Sequence, residues 1–304
     1  MILCCGEALI DLLPGDGDER IPIVGGSVLN TAVALGRLGA DVGLLTGLST
    51  DQYGGLIEKH LDGSNVSTDL CIRSDRPTTL AVVTLVDGQA QYHFEDEGSA
   101  QRMIEVSDLP VLPDNLEAMS FGSISLIPLP IADTLAHLCV NAPDDAVVML
   151  DANVRPGFVT EPDQYRARLQ RMLTATDILK VSDEDLEWLV PDETDLPTAI
   201  ETLLGSGPSV ILLTEGSKGA KAFRKGKPVV EVAAQRVQVV DTVGAGDTFN
   251  AGILKSLKDQ GALTKASIRD LHDAGWETAL AFAASTAAVT VSRKGANPPW
   301  AHEL

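Results

Sequence analysis

The chain has 304 residues, 44% of them hydrophobic, with 43 acidic against 23 basic side chains and a formal charge of −20. That length can bury a large core, as one α/β domain or a domain with an appendage, and the composition excludes a disordered chain. The acidity argues against nucleic acid and anionic membrane as partners, so any polyanionic ligand must be held by backbone amides, metal ions or a few placed cations.

The opening stretch MILCCGEALIDLLP carries no basic leader and no small-residue cleavage site, and Glu7 and Asp11 interrupt its apolar run. Neither a signal peptide nor a membrane span is expected. Cys4, Cys5, Cys71 and Cys139 lack metal-ligand spacing. Cys4 and Cys5 are adjacent in a predicted strand and point to opposite faces. All four read as reduced, mostly buried thiols of a cytoplasmic protein.

Residues 2–5 predict a short strand, with GEALID at its end. Ligands of open α/β sheets gather at the carboxyl ends of strands, which places Asp11 to accept hydrogen bonds from a polyol. A plain surface carboxylate is the alternative. Gly25 and Gly26 precede a predicted helix at 27–38, apolar on Val28, Ala32 and Leu35, with Ser27 as candidate cap. Asn30 falls in its first turn, where an amide that both donates and accepts suits vicinal hydroxyls. Gly39 ends this helix, and a strand at 42–46 follows.

Residues 66–105 change character. Thr79 to Val86 read as strand, Asp87–Gly88 as a hairpin turn and Gln89 to Glu95 as the returning strand, with Tyr92 in ordinary cross-strand packing. Alternation of strand and helix resumes from about 115. A strand at 146–150 leads to Asp151, Asn153 and Arg155, and Pro156 bars a helix from Arg155. A guanidinium there suits a sugar phosphate or a phosphoryl group in transfer. ILKVSDEDLEWL places Lys180, Ser182 and Asp185 at another strand end, with plain helix-start acids as the alternative for the carboxylates. SVILLTEGSKGA reads as strand, glycine turn and strand. Residues 279–291 form a predicted helix of small residues that passes into SRKGANP. No internal repeat or low-complexity tract occurs.

The stretch VVDTVGAGDTFNAG, residues 239–252, organises the rest. Val239 and Val240 end a predicted strand, and Asp241 and Thr242 make a polar turn. Gly244 and Gly246 flank Ala245, so the backbone can take φ > 0 and approach a ligand closely. Asp247 sits at a predicted helix start, with Phe249, Ile253, Leu254 and Leu257 as the apolar face. Free N–H groups and the positive dipole end there suit phosphate. A carboxylate in that place repels phosphate unless it works, for instance by taking a proton from an attacking hydroxyl; an N-cap is the alternative. There is no GxxxxGK[ST], no protein-kinase motif set and no GxGxxG after the first strand, which excludes three other nucleotide-dependent classes.

DTVGAGDTFNAG resembles the C-terminal signature of the ribokinase-like, or PfkB, carbohydrate kinases. GGSVLNTAVALGRLGADVGLLTGLSTDQYG, residues 25–54, resembles their N-terminal signature, so the resemblance spans nearly the whole chain. It implies one ribokinase-like α/β domain over 1–304: a doubly wound, mostly parallel sheet with helices on both faces, plus a small β-sheet lid. The lid strands are expected at about 12–24 and 66–105; in the family they cover the sugar and often pair with a second subunit, which implies a homodimer. The resemblance also implies transfer of the γ-phosphoryl group of ATP to a sugar hydroxyl, with Mg²⁺ and K⁺.

By the same resemblance Asp247 is the base and Gly244, Ala245 and Gly246 form the anion-binding turn. Asp11, Gly25, Gly26, Asn30, Phe94, Ala100, Asn153 and Arg155 stand on the sugar side. Lys180, Ser182, Thr214, Gly216, Gly219 and Ala284 stand along the nucleotide; several relatives carry a polar residue where this chain has Ala284. The family places phosphate and Mg²⁺, through water, with an Asn-x-x-Glu motif; this chain has Ser182 and Asp185, and Glu184 and Glu187 compete for the role. Carbonyls at Asp241, Val243 and Gly295 are implied for a monovalent cation. YHFEDEGSA, GSISL and DANVRP resemble the fructokinase branch, which implies fructose as the sugar. 2-Keto-3-deoxygluconate is the second reading, and an inactive sugar-binding regulator the third.

Overall fold

The computed structural model describes residues 1–17, 19–86, 89–191 and 195–304. Its centre is an eight-stranded sheet in the order Val230–Val232, Ala220–Arg224, Val210–Thr214, Ile178–Ser182, Val147–Asp151, Ala118–Gly122, Ile2–Cys5, Val42–Leu45. The six strands from Val210–Thr214 to Val42–Leu45 run parallel, and the other two add antiparallel at one edge. The parallel strands are almost wholly apolar because both faces are covered. Cys4 faces one core, with the helices Ser27–Arg37, Ala245–Asp259 and Asp273–Val291. Cys5 faces the other, with Ile131–Val140, Pro162–Leu173 and Leu196–Gly205. All four cysteines are buried and free.

The chain leaves Ile2–Cys5 for Val42–Leu45 on one side and later returns to Ala118–Gly122 on the other. The strand order therefore reverses beside Ile2–Cys5, and a crevice opens at the carboxyl ends there. Over it lies a four-stranded sheet in the order Arg20–Gly25, Leu9–Pro14, Leu80–Val86, Gln89–Glu95. Its register sets Ile23, Asp11, Ala81 and Phe94 in one row across the strands, hence on one face. The expected hairpin turn, Asp87–Gly88, lies outside the described residues; the strands flanking it pair antiparallel, Val86 opposite Gln89.

Three local expectations differ from the structure. Val239 and Val240 are in no strand: they are 60% and 58% exposed, and the amide of Val240 donates to Val291 O at 2.8 Å. β-branching favours a strand only where the backbone finds a ladder, and Val239 and Val240 pair with no strand among the described residues. The helix after the glycine turn begins at Ala245, with Gly244 as its N-cap at φ 77°, so Asp247 is its third residue and caps nothing. Ser27 is likewise the first residue of its helix and not the cap, which is Gly26; its hydroxyl bonds elsewhere.

Candidate active site

The helix Ala245–Asp259 points its N-terminus at the crevice. Gly244 takes the left-handed conformation that an L side chain resists, and its own place is tight: a Cβ there would lie 2.7 Å from that of Ala296. The amide of Ala245 donates to Thr242 O at 3.3 Å, whereas those of Gly246 and Asp247 have no acceptor among the described residues. Two free first-turn amides at a helix N-terminus form an anion site.

Asp247 is 7% exposed. Its Oδ1 accepts from Ser27 Oγ at 2.5 Å and its Oδ2 from Asn30 Nδ2 at 2.9 Å. Burial pushes its carboxyl up to about 6, against the pull of these two donors; Asp151 adds to the rise and Lys180 opposes it. The group is thus a carboxylate at neutral pH whose proton affinity is well above that of an exposed aspartate.

Ser27 and Asn30 reach it because their helix starts at the crevice. Glu7, wholly buried, accepts from the amides of Ser27 at 3.0 Å and Val28 at 3.4 Å and so terminates that helix with a carboxylate. Burial raises the Glu7 carboxyl above its ordinary value. Asn153, at φ 35°, donates through Nδ2 to Ser27 Oγ at 3.0 Å and to Ser123 Oγ at 3.2 Å.

On the other flank Lys180 Nζ lies 3.1 Å from Asp151 Oδ1. Asn250 donates to Asp151 Oδ2 at 2.6 Å. Burial alone would lower the lysine's proton affinity, but Asp151, Asp185 and Asp247 outweigh it and hold the ammonium above its usual value. This ammonium sits under the first turn, 3.4 Å from where a Cβ on Gly246 would stand.

The lid contributes Asp11, whose partial burial pushes its carboxyl up to about 6. It packs on Gly25 so closely that a Cβ there would fall 2.3 Å from Asp11 Oδ2. Phe94 meets Phe158 edge-on at 4.9 Å, and both line a cavity of about 410 Å³ together with Thr79, Gln101, Arg102 and Ile124. Tyr92 stands in the field of Asp11 and Asp241, which with burial raises its phenol. Ala100 is buried, with its carbonyl close against Gly47.

The remaining candidates fall into separate groups. Arg155 is exposed; its Nη1 donates to the carbonyls of Asn153 and Val154 at 3.3 and 3.1 Å. Asp185 is 4% exposed, and both its oxygens are engaged: Oδ1 accepts from Val154 N at 2.7 Å, Oδ2 from Ser182 N and Oγ at 2.8 Å. Glu184 and Glu187 are exposed. Thr214 pairs with Ser182 across the sheet, and Gly216 and Gly219 bound the turn that follows. Ala284 is half-buried on the helix Asp273–Val291. Asp241 joins two loop segments, accepting from Val243 N at 3.0 Å and Gly295 N at 2.9 Å. These two bonds hold its carboxyl below the usual range.

Sequence reasoning missed Ser27 as a ligand of Asp247, Glu7 and Asn250, and it named Asp151 at its strand end without giving it a partner. Glu7 left one trace, an acid inside an apolar run just before a helix start; the others are polar residues whose partners lie far along the chain.

The family model for pfkB family carbohydrate kinases matches residues 4–303. A fructokinase of Rhizobium leguminosarum bv. trifolii is 46% identical over 277 residues, 90% of this chain and 84% of the relative. The crystal structure of a fructokinase with bound ATP from Xylella fastidiosa superposes with a TM-score of 0.88 at 29% identity, over 97% of this chain and 93% of that one. A double mutant of a Vibrio cholerae O395 fructokinase, in its fructose-, ADP- and potassium-bound form, shares the fold with a TM-score of 0.82 at 24% identity, over 97% and 93% of the two chains.

Proposed function

This chain belongs to the pfkB family of carbohydrate kinases, and we propose that it transfers the γ-phosphoryl group of ATP to a hydroxyl of D-fructose. The observation that carries the chemistry is the placement of Asp247: a buried carboxylate of raised proton affinity on the same helix turn as two free amides, that of Gly246 and its own. The sugar hydroxyl donates to a remaining lone pair of that carboxylate. As its oxygen bonds to the γ-phosphorus, the proton passes to Asp247 and the bond to the β,γ-bridging oxygen breaks, releasing ADP. The amides of Gly246 and Asp247 and the Lys180 ammonium face the charge that develops, so the protein contributes position and field.

Asp11 and Asn30 bind sugar hydroxyls, with Gly25 and Gly26 allowing close approach. Phe94 closes the lid side, Ala100 backs it, and Asn153 and Arg155 stand at the strand end. Ser182, Thr214, Gly216, Gly219 and Ala284 lie along the nucleotide.

The donor sets fit two metal ions. Mg²⁺ would be held by the nucleotide's phosphates and by water, with Asp185 outside that shell, because its oxygens already accept three internal hydrogen bonds. It would neutralise phosphate charge. K⁺ would sit on carbonyls of Asp241, Val243 and Gly295, which the Asp241 carboxylate draws together.

The lid supports a homodimer: Ile21, Ile23 and Tyr92 are 43%, 45% and 48% exposed, and by register they continue the face that carries Asp11. The formal charge of −20 disfavours nucleic acid, no helix among the described residues is long and apolar enough to cross a membrane, and four free buried thiols suit the cytoplasm.

Fructose is favoured over 2-keto-3-deoxygluconate by the state of the lid cations. Arg73 pairs with Glu58 and Arg102 with Asp96, so these two guanidiniums are already neutralised and do not stand free to hold an acid substrate. Phosphorylation of fructose, ribose, 2-keto-3-deoxygluconate, tagatose and adenosine with Mg·ATP tests this. The highest kcat/KM is expected for fructose; a higher value for the sugar acid would overturn the substrate and leave the kinase chemistry standing.

A further inference from the structure

Asp247 has two protein donors, and one of them belongs to a longer chain of hydrogen bonds. Asn153 Nδ2 donates to Ser27 Oγ at 3.0 Å, and Ser27 Oγ donates to Asp247 Oδ1 at 2.5 Å. A hydroxyl has one hydrogen. With the Asn153 amide occupying an acceptor side of Oγ, that hydrogen goes to Asp247. The orientation is held at every point. The Ser27 amide is fixed by Glu7, and Asn153 also donates to Ser123 Oγ. Asn153 and Ser123 both hold left-handed backbone, φ 35° and 64°, a conformation that costs a non-glycine residue energy and persists where the surroundings impose it.

We propose that Ser27 is a positioning residue for phosphoryl transfer: its hydroxyl, aimed by Asn153, fixes the Asp247 carboxylate as the proton acceptor. The proposal rests on the kinase reading above and assigns Ser27 no contact with substrate. Asn30 holds Oδ2, and Ser27 holds Oδ1. Together they leave the carboxylate one orientation, and each stabilises its ionised form in a buried place.

The other charges facing Asp247 come from two strand ends: Asp151 from Val147–Asp151, which disfavours ionisation, and Lys180 from Ile178–Ser182, which favours it. The packed helix Asp273–Val291 presents Thr286 and Thr290 to the backbone and hydroxyl of Thr248, neither of them titratable. Loss of the Ser27 hydroxyl therefore moves the balance one way. The carboxyl becomes harder to ionise, and activity that needs the carboxylate moves to higher pH.

The test uses wild type, Ser27→Ala and Ser27→Thr. The Asp247 carboxyl is followed by carbon NMR against pH in sugar-free protein, its signal identified by loss in Asp247→Asn. The pH profile of kcat/KM is measured with whichever sugar of the panel wild type uses fastest. For Ser27→Ala the carboxyl midpoint and the acidic limb should both rise by about one pH unit, with most of the rate regained at pH 8.5. Ser27→Thr, which keeps the hydroxyl, should restore both. An unmoved midpoint, or a rate loss equal at every pH that threonine does not repair, would overturn the proposal. The titration needs no sugar, so it decides the role of Ser27 even if wild type phosphorylates nothing in the panel, a result that would sink the kinase reading alone.

Discussion

Lys180 and Asp151 form an ion pair at 3.1 Å in which each side chain is only 6% exposed. The strand residues pair in register, Asp151 opposite Lys180, so the sheet itself brings the charges together. Such a pair adds little stability over an apolar one, but removing one partner strands the other charge. Lys180→Met is expected to cost about 3–5 kcal/mol in denaturant unfolding. The double variant Lys180→Met with Asp151→Asn should recover much of that loss, because Asn250 can still donate to residue 151. Phosphoryl transfer should stay impaired in both, because the ammonium under Gly246 is gone. A single variant as stable as wild type would show that Asp151 is not ionised in the fold.

Asp11 and Asn30 approach the crevice from different elements, the lid strand Leu9–Pro14 and the helix Ser27–Arg37. Both belong to the proposed sugar side. Asp11→Ala and Asn30→Ala should therefore raise the sugar KM far more than the dissociation constant of ADP. A buried sugar hydroxyl left unpaired costs about 1–3 kcal/mol. Asn30→Ala should lower kcat as well, since it also frees Asp247 Oδ2, while Asp11→Ala should act mainly through KM. Calorimetry with ADP alone is the control; equal losses of sugar and nucleotide affinity would make both residues supports of the fold.

The strands Ile2–Cys5, Leu80–Val86 and Gln89–Glu95 and the helix behind the glycine turn were readable because each rests on local pattern, an apolar run, a hairpin signal or glycine at the turn. The doubly wound sheet came only from the resemblance, and its strand order from nothing local. The position of Asp247 was readable, and the base role proposed for it was suggested by a carboxylate at a phosphate-binding turn together with the family resemblance. Its contacts were not. Asn30 is 217 residues away and Ser27 220, and no periodicity relates them. Ser27 looked like a helix cap because serine before an apolar face often is one; Gly26 at φ 113° takes that place and releases the hydroxyl toward Asp247. Val239 and Val240 misled in the opposite way. Their side chains favour a strand, but they join no ladder among the described residues, and tertiary context decided.

Asp241 joins the segment before the glycine turn to the loop after the last long helix, through Val243 N and Gly295 N. Their carbonyls, with that of Asp241, are the proposed K⁺ ligands. A cation there would shape the anion site without touching sugar. At constant ionic strength, K⁺ should therefore raise kcat over Na⁺ or a bulky organic cation. Asp241→Ala should remove the difference between salts. Equal rates of wild type in all three salts would eliminate the cation site.

Asp247→Asn separates chemistry from stability. Asparagine keeps the shape but cannot accept the proton, and loss of a general base costs on the order of 10²–10⁴ in rate. kcat should fall by at least about a hundredfold while fructose and ADP still bind. Turnover within a few-fold of wild type would mean that Asp247 is no base. The pH dependence of stability gives a second reading. Burial raises the folded-state value from 3.8 to about 6, so the unfolded chain holds this carboxyl's proton less tightly than the folded one. The favourable contribution is fully present below about 3.8 and is lost as pH rises through about 6. Wild type should therefore lose stability relative to Asp247→Asn between pH 4 and 7 and hold a constant difference above that. Melting temperatures of the two proteins over pH 4–8 measure the gap, and the other titrating groups largely cancel in it. A gap that did not change with pH would place the folded and unfolded values together. The carboxylate would then carry no excess proton affinity into the reaction.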